Sequence, residues 1–92
     1  MEREEEKMKS FMYTIIDPLG IHARPAGMLV KVAAGFKSAI AIDNGVKKAD
    51  AKRIMAVMSM GVKQGQEVTV TADGEDEDAA IATLETFFKE NL

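Results

Sequence analysis

The stretch FMYTIIDPLGIHARPAGMLVKVAA, residues 11–34, passes from a strand pattern to a helix pattern. Residues 11–16 combine aromatic and β-branched side chains and are followed by Asp17-Pro18, which is typical of a strand that ends in a turn. Beyond the turn, apolar residues recur at spacings of three and four from Ala26 to Ala33, which predicts an amphipathic helix. The chain therefore contains a strand-loop-helix unit near its start.

The rest of the chain continues this alternation of elements. Alternating apolar residues and helical spacing predict five further elements: a strand at 39–42, a return strand at 46–50, a short helix at 53–59, a strand at 67–71 and a final helix. A hairpin turn of type I′ is predicted at Asn44-Gly45, between the first two of these strands. Because each strand alternates, only one face of the sheet is apolar, and helices must cover that face. We therefore predict an α+β fold, an open-faced β-sandwich with the order β-α-β-β-α-β-α.

Length and composition are those of one small globular domain. The chain has 92 residues, of which 47% are hydrophobic and 29% charged, and it contains no cysteine, so disulfides and thiolate sites are excluded. Residues 1–9 are mostly charged and predict a flexible extension, whereas residues 10–92 form the domain. A charged N-terminus and the lack of a long apolar run argue against a secretory signal or a membrane span, so we expect a cytoplasmic protein without membrane insertion.

Charge is distributed unevenly along the chain. Residues 24–63 carry eight Lys and Arg against two acidic residues, whereas residues 64–92 carry one against eight. This asymmetry either reflects ordinary solvated faces or indicates a basic surface for an anionic partner. Nucleic acid is not the expected partner, because the net charge is −3 and aromatic residues are not interleaved with the basic ones.

The segment Gly20-Ile21-His22-Ala23-Arg24-Pro25-Ala26 carries the candidate chemistry. It places His22 at or beside the N-cap of the first helix, where free N–H groups and the positive end of the helix dipole bind anions. A phosphoryl group on Nδ1 of His22 could reach the backbone N–H groups of Ala23 and Arg24, and the Arg24 guanidinium could hold phosphate oxygens.

A histidine at a helix start is also common as a simple polar cap, so spacing alone leaves both interpretations open. We find no pattern for a metal or an organic cofactor. A single nucleophile without a general-base partner suits a relay protein better than a hydrolase.

The same segment resembles the phosphorylation-site motif of HPr, the histidine-containing phosphocarrier family of the bacterial sugar phosphotransferase system. The likeness extends to Ile54-Met55, to residues 57–62 and to residues 72–77. It implies a four-stranded antiparallel sheet in the order 1-4-2-3 with three helices on one face. It also implies that His22 is phosphorylated on Nδ1 by enzyme I and donates the group to IIA domains of sugar permeases.

The second helix offers a candidate docking surface. Val57 and Met60 can serve the core, which leaves other apolar residues at the surface, although methionine is also a common filler of core gaps. The residues expected to bind partners are Ala23, Gly27, Lys52, Arg53, Ile54, Met55 and Met58, with Lys31 also at the rim. Gly27 would allow close approach either of a partner or of the second helix.

One departure from the family concerns regulation. Many HPr proteins of Gram-positive bacteria carry a regulatory serine where this chain has Arg53, so the resemblance implies no co-repressor switch through that residue. We predict a monomeric carrier protein and not an enzyme. The alternative is a regulatory binding module of the same fold, acting in a nitrogen-linked relay or through docking alone.

Overall fold

The computed structural model describes residues 8–92. In this range the chain forms four strands and three helices: β1 (Met8–Thr14), α1 (Ala23–Ala34), β2 (Ala39–Asp43), β3 (Lys48–Asp50), α2 (Ile54–Ser59), β4 (Glu67–Asp73) and α3 (Glu77–Asn91). The strands form one antiparallel sheet in the order β1-β4-β2-β3. The predicted open-faced β-sandwich and its strand order are confirmed.

The core lies between one face of the sheet and the helices. Alternate strand residues point inward: on β4, Val68 and Val70 are fully buried, whereas Thr69 and Thr71, which alternate with them, are partly exposed. The ring of Phe88 on α3 is also fully buried, and it meets the rings of Phe11, Tyr13 and Phe87 edge-on. This packing anchors the C-terminal helix against β1 and its neighbours.

Helix α1 begins at the residue that follows His22. Pro25 lies in its first turn, where the missing N–H breaks no intrahelical hydrogen bond, and its ring is buried. Leu29 and Ala33 continue the buried stripe that faces the core. The helical spacing predicted from the sequence therefore places the apolar residues of α1 against the core, as expected.

The first strand starts earlier than predicted. Met8 and Lys9, which the sequence analysis assigned to the charged extension, pair with Asp73 and Ala72 of β4. The strand continues there because backbone pairing with a long partner strand needs no apolar side chain. Residues 1–7 of that predicted extension lie outside the described residues.

The hairpin between β2 and β3 also differs from its prediction. A type I′ turn requires positive φ at both central residues, but only Gly45 has it, with φ 93°, and Asn44 does not. Instead, the side chains of Asp43 and Asn44 accept hydrogen bonds from backbone amides within the loop. These local bonds replace the tighter turn and shorten β3 to Lys48–Asp50.

Within residues 8–92, no helix combines the length and the apolar character that crossing a bilayer requires.

Candidate functional site

The loop that leads to His22 is held at several points. The amide of Gly20 donates to the carbonyl of Asp17 (2.9 Å) and the amide of Ile21 donates to the carbonyl of Val62 (3.1 Å). The side chain of Ile21 is buried in the core. These contacts fix the backbone immediately before His22, so the histidine sits on a defined frame.

His22 is the N-cap residue of α1. Its backbone is extended, with φ −103° and ψ −176°, and its carbonyl accepts the hydrogen bond of the Ala26 amide at 2.9 Å. Within the described part of the chain, the imidazole makes no capping hydrogen bond to the helix, and 35% of the side chain is exposed. The ring therefore lies at the N-terminal end of α1 and remains accessible to another protein.

The helix start supplies groups suited to an anion. The amides of Ala23 and Arg24 occupy the first two helical positions, which have no intrahelical acceptor, and Pro25 has no N–H to contribute. The positive end of the helix dipole adds to their attraction for negative charge. Arg24 is exposed and lines the same depression as His22. Ala23 and Arg24, both predicted from the sequence, thus lie beside His22.

A depression of about 220 Å³ surrounds the ring and brings in residues that the sequence analysis did not select. It is lined by His22, Arg24, Pro25 and Met28 of the α1 region, by Asp17 of the loop, and by Glu90 and Asn91 at the end of α3. The Asp17 carboxylate lies 3.7 Å from Nε2 of His22. Asp17 was interpreted only as a turn residue, and no local pattern points to Glu90 or Asn91.

The end of α3 is fastened to the loop by backbone hydrogen bonds. The carbonyl oxygen of Leu92 accepts hydrogen bonds from the amides of Ile16 (2.7 Å) and Asp17 (2.8 Å). Leu92 itself is buried. The C-terminal end of the described chain therefore helps to build the wall of the depression.

The apolar surface predicted on α2 is present. Ile54, Met55 and Met58 are 39%, 74% and 38% exposed, whereas Val57 and Met60 are buried as predicted. We call Ile54, Met55 and Met58 the α2 patch.

Helix α2 packs closely against α1. A Cβ atom at Gly27 would lie 3.8 Å from Cδ1 of Ile54. This is an ordinary van der Waals distance, so the packing of α2 does not itself require glycine at this position. Gly27 lies beside Ile54 and connects the α2 patch to the helix that carries His22.

Two of the basic residues predicted to border this patch have different environments. The Lys52 ammonium donates to the carbonyl of Phe36 at 2.8 Å, just beyond the C-terminal end of α1. That end is separated from His22 by the whole helix, about 18 Å at 1.5 Å per residue. Lys52 is thus far from the imidazole, whereas Arg53, exposed at the N-cap of α2, adjoins the α2 patch directly.

Comparison with known proteins agrees with this arrangement. The family model described as "PTS HPr component phosphorylation site" matches residues 9–90. The phosphocarrier protein HPr of Lysinibacillus sphaericus is 48% identical over 83 residues, which are 90% of this chain and 94% of that protein. The chain belongs to the HPr family. It is thereby related to phosphocarrier proteins of the phosphotransferase system, which are carriers and not enzymes.

Solved structures of the HPr family share the fold. A histidine-containing phosphocarrier protein, described in a study of the divergence of Mycoplasma from Gram-positive bacteria, superposes with a TM-score of 0.87 and 41% identity over 89% of this chain and 93% of that one. The Bacillus subtilis catabolite repression protein Crh, described as a dimer with a swapping domain, gives a TM-score of 0.73 and 38% identity over 87% and 92% of the two chains.

Proposed function

We propose that this HPr-family chain is a cytoplasmic phosphocarrier of a sugar phosphotransferase system. In this proposal His22 accepts a phosphoryl group on Nδ1 from phospho-enzyme I and donates it to IIA domains of sugar permeases. The observation that carries the proposal is the placement of a partly exposed His22 at the N-cap of α1, beside Arg24. The family of the chain supports the same role.

The site chemistry supports a reversible transfer. A phosphoryl group on Nδ1 would lie toward the backbone, near the first amides of α1 and the positive end of its dipole, and these groups stabilise anions. The Arg24 guanidinium would contact phosphate oxygens as the group arrives or leaves. Each helix-end interaction contributes only about 0.3–1 kcal/mol at an exposed site. A stabilisation of this size holds the phosphoryl group without trapping it, as a relay requires.

The α2 patch suits a protein that meets several partners. Methionine side chains are flexible and polarisable, and they adapt to surfaces of different shape. The patch lies on the helix that packs against Gly27 of α1, so a partner seated on it would also reach the region of His22. The exposed Arg53 would favour partners with acidic side chains at the rim.

Phosphorylation by phosphoenolpyruvate and enzyme I tests the proposal directly. We expect acid-labile, base-stable phosphate on the wild type, no phosphate on His22→Ala, and transfer from the phosphorylated chain to a IIA domain. Arg24→Gly should slow phosphoryl transfer strongly and lower the free energy of unfolding only slightly. Absence of phosphate on the folded wild type would contradict the carrier function.

Docking is tested with a pair of variants. Met55→Glu places a charge on the exposed α2 patch and should weaken binding to enzyme I by at least about tenfold. Val46→Glu is the matched control, because Val46 is 89% exposed in the β2–β3 hairpin, outside the patch. Isothermal titration with both variants provides the measurement, and equal affinities would argue against the patch as the docking site.

A regulatory module is the second candidate, and the similarity to Crh favours it. A regulator that acts through docking alone would bind its partner equally well after His22→Ala and would not accept phosphate from phosphoenolpyruvate and enzyme I. Enzyme I from a nitrogen-linked system, compared with that of a sugar system, would separate the two kinds of relay by rate. We propose that the chain acts as a monomer, which sedimentation would test against the dimer described for Crh.

A further inference from the structure

The side chain of Asp17 is held in one orientation by its neighbours. Its Oδ1 accepts a hydrogen bond from the amide of Leu19 at 2.8 Å, and its own amide donates to the carbonyl of Leu92 at 2.8 Å. The other carboxylate oxygen, Oδ2, lies 3.7 Å from Nε2 of His22. Only 26% of the side chain is exposed. The loop thus directs one oxygen of a fixed carboxylate toward one nitrogen of the ring.

This orientation bears on which nitrogen of His22 carries a proton. A neutral imidazole has an N–H at one ring nitrogen and a lone pair at the other, and a neighbouring acceptor favours the N–H on its own side. A distance of 3.7 Å is longer than a hydrogen bond, but such contacts commonly tighten when the reacting partner binds. A carboxylate beside Nε2 therefore favours the tautomer with the proton on Nε2 and the lone pair on Nδ1.

We propose that Asp17 is a positioning residue that holds His22 in the Nε2-protonated tautomer, so that Nδ1 is the nucleophile. The inference rests on the proposed function. In the transfer step, the Nδ1 lone pair forms a bond to phosphorus, the bond between phosphorus and the donor atom breaks, and the donor atom leaves with that electron pair. The proton remains on Nε2, and the positive charge that develops on the ring faces the Asp17 carboxylate.

Asp17→Asn separates this role from the structural one. The asparagine oxygen can still accept the hydrogen bond from Leu19, so the turn is retained. Its NH₂ group then faces Nε2, and a donor at that place favours a lone pair on Nε2 and a proton on Nδ1. A purely structural role predicts a variant that behaves like the wild type, whereas the positioning role predicts the opposite tautomer.

Asp43→Asn is the matched control. Asp43 also accepts a hydrogen bond from the amide two residues farther along the chain, at 2.7 Å from Gly45, and it lies in the β2–β3 hairpin. The substitution makes the same change of charge in the same type of turn, without a histidine beside it. Any general effect of the lost negative charge appears in both variants.

Two measurements decide the matter. Nitrogen-15 NMR of the imidazole at about pH 9, where histidine rings are neutral, gives the tautomer, and stopped-flow transfer from phospho-enzyme I gives the rate. For Asp17→Asn we expect a smaller Nε2-protonated fraction and a transfer rate lower by about tenfold, with both quantities unchanged in Asp43→Asn.

Asp17→Asn with the wild-type tautomer and rate would overturn the inference, as would equal changes in both variants. The proposed function fails separately, if the wild type itself is not phosphorylated. The NMR measurement needs no phosphorylation, so it tests the tautomer in either case.

Discussion

Gly20 holds the loop before His22 in a conformation that alanine should not tolerate. Its φ is 68°, in the left-handed region, and a Cβ atom there would overlap the carbonyl oxygen of Val62 and lie 2.8 Å from Cα of Lys63. Both of those atoms belong to the backbone and cannot rotate away as a side chain would. The same carbonyl accepts the hydrogen bond from the Ile21 amide. Gly20→Ala should therefore displace the segment that positions His22.

Gly61→Ala supplies the reference for the size of this effect. Gly61 has nearly the same φ, 64°, but a Cβ atom there would have nothing within 4 Å. A left-handed alanine costs about 1–2 kcal/mol, and the stiffer unfolded chain offsets about 0.4–1 kcal/mol of this. Gly61→Ala should thus lower the free energy of unfolding by about 1 kcal/mol. Gly20→Ala should lower the free energy of unfolding by about 1–3 kcal/mol more than Gly61→Ala does, because its Cβ atom overlaps Val62 and Lys63.

Urea-induced unfolding of the two variants measures the difference. We expect Gly20→Ala to be the less stable by about 1–3 kcal/mol, with amide chemical-shift changes centred on Ile21, His22 and Val62. Equal losses of stability would refute the reasoning, because the two positions share a backbone conformation and differ in the close approach of Val62.

Three further predictions concern the core, pH and helix capping. Phe88→Ala removes a fully buried ring in contact with three others and should cost about 3–5 kcal/mol in chemical denaturation, against under about 0.5 kcal/mol for the exposed Met55→Ala. The Ser38 hydroxyl, foremost among the donors to Asp76, lowers the pKa of that carboxyl below its usual 3.8. The ionised Asp76 carboxylate therefore contributes to stability above that value, and this contribution is lost as the pH falls through the lowered pKa. The difference in stability between wild type and Asp76→Asn should accordingly shrink below about pH 4. Arg53→Ser should stabilise the chain by about 0.5–2 kcal/mol relative to Arg53→Ala, because serine can accept a hydrogen bond from the first turn of α2.

Each of these three has an outcome that would contradict it. Similar losses for Phe88→Ala and Met55→Ala would mean that the aromatic cluster is not a stabilising core. A constant difference between wild type and Asp76→Asn from neutral to acid pH would remove the role assigned to the carboxylate. Equal melting temperatures for the serine and alanine variants at position 53 would show that a side-chain cap at this position does not stabilise α2.

Prediction from the sequence succeeded where the physical cause is local. The strand alternation, the spacing of Leu29 and Ala33 and the position of Pro25 depend on residues within a few positions of one another, and the observed elements follow them. It was wrong about Asn44, because the side chains of Asp43 and Asn44 accept hydrogen bonds from backbone amides of the loop, and these bonds favour a conformation other than the type I′ turn. It also missed Met8 and Lys9 in β1, where the partner strand and not the side chains determines the pairing.

The sequence by itself determined the strand-loop-helix unit and the place of His22 at a helix start, because periodicity and helix-end chemistry act over single turns of chain. Only the tertiary structure brought Glu90 and Asn91 to the same depression and turned the Asp17 carboxylate toward Nε2. Those contacts depend on how α3 packs against the sheet and on where the carbonyl of Leu92 fastens the loop. Packing joins segments that are far apart in the chain, and no short pattern records which of them will meet.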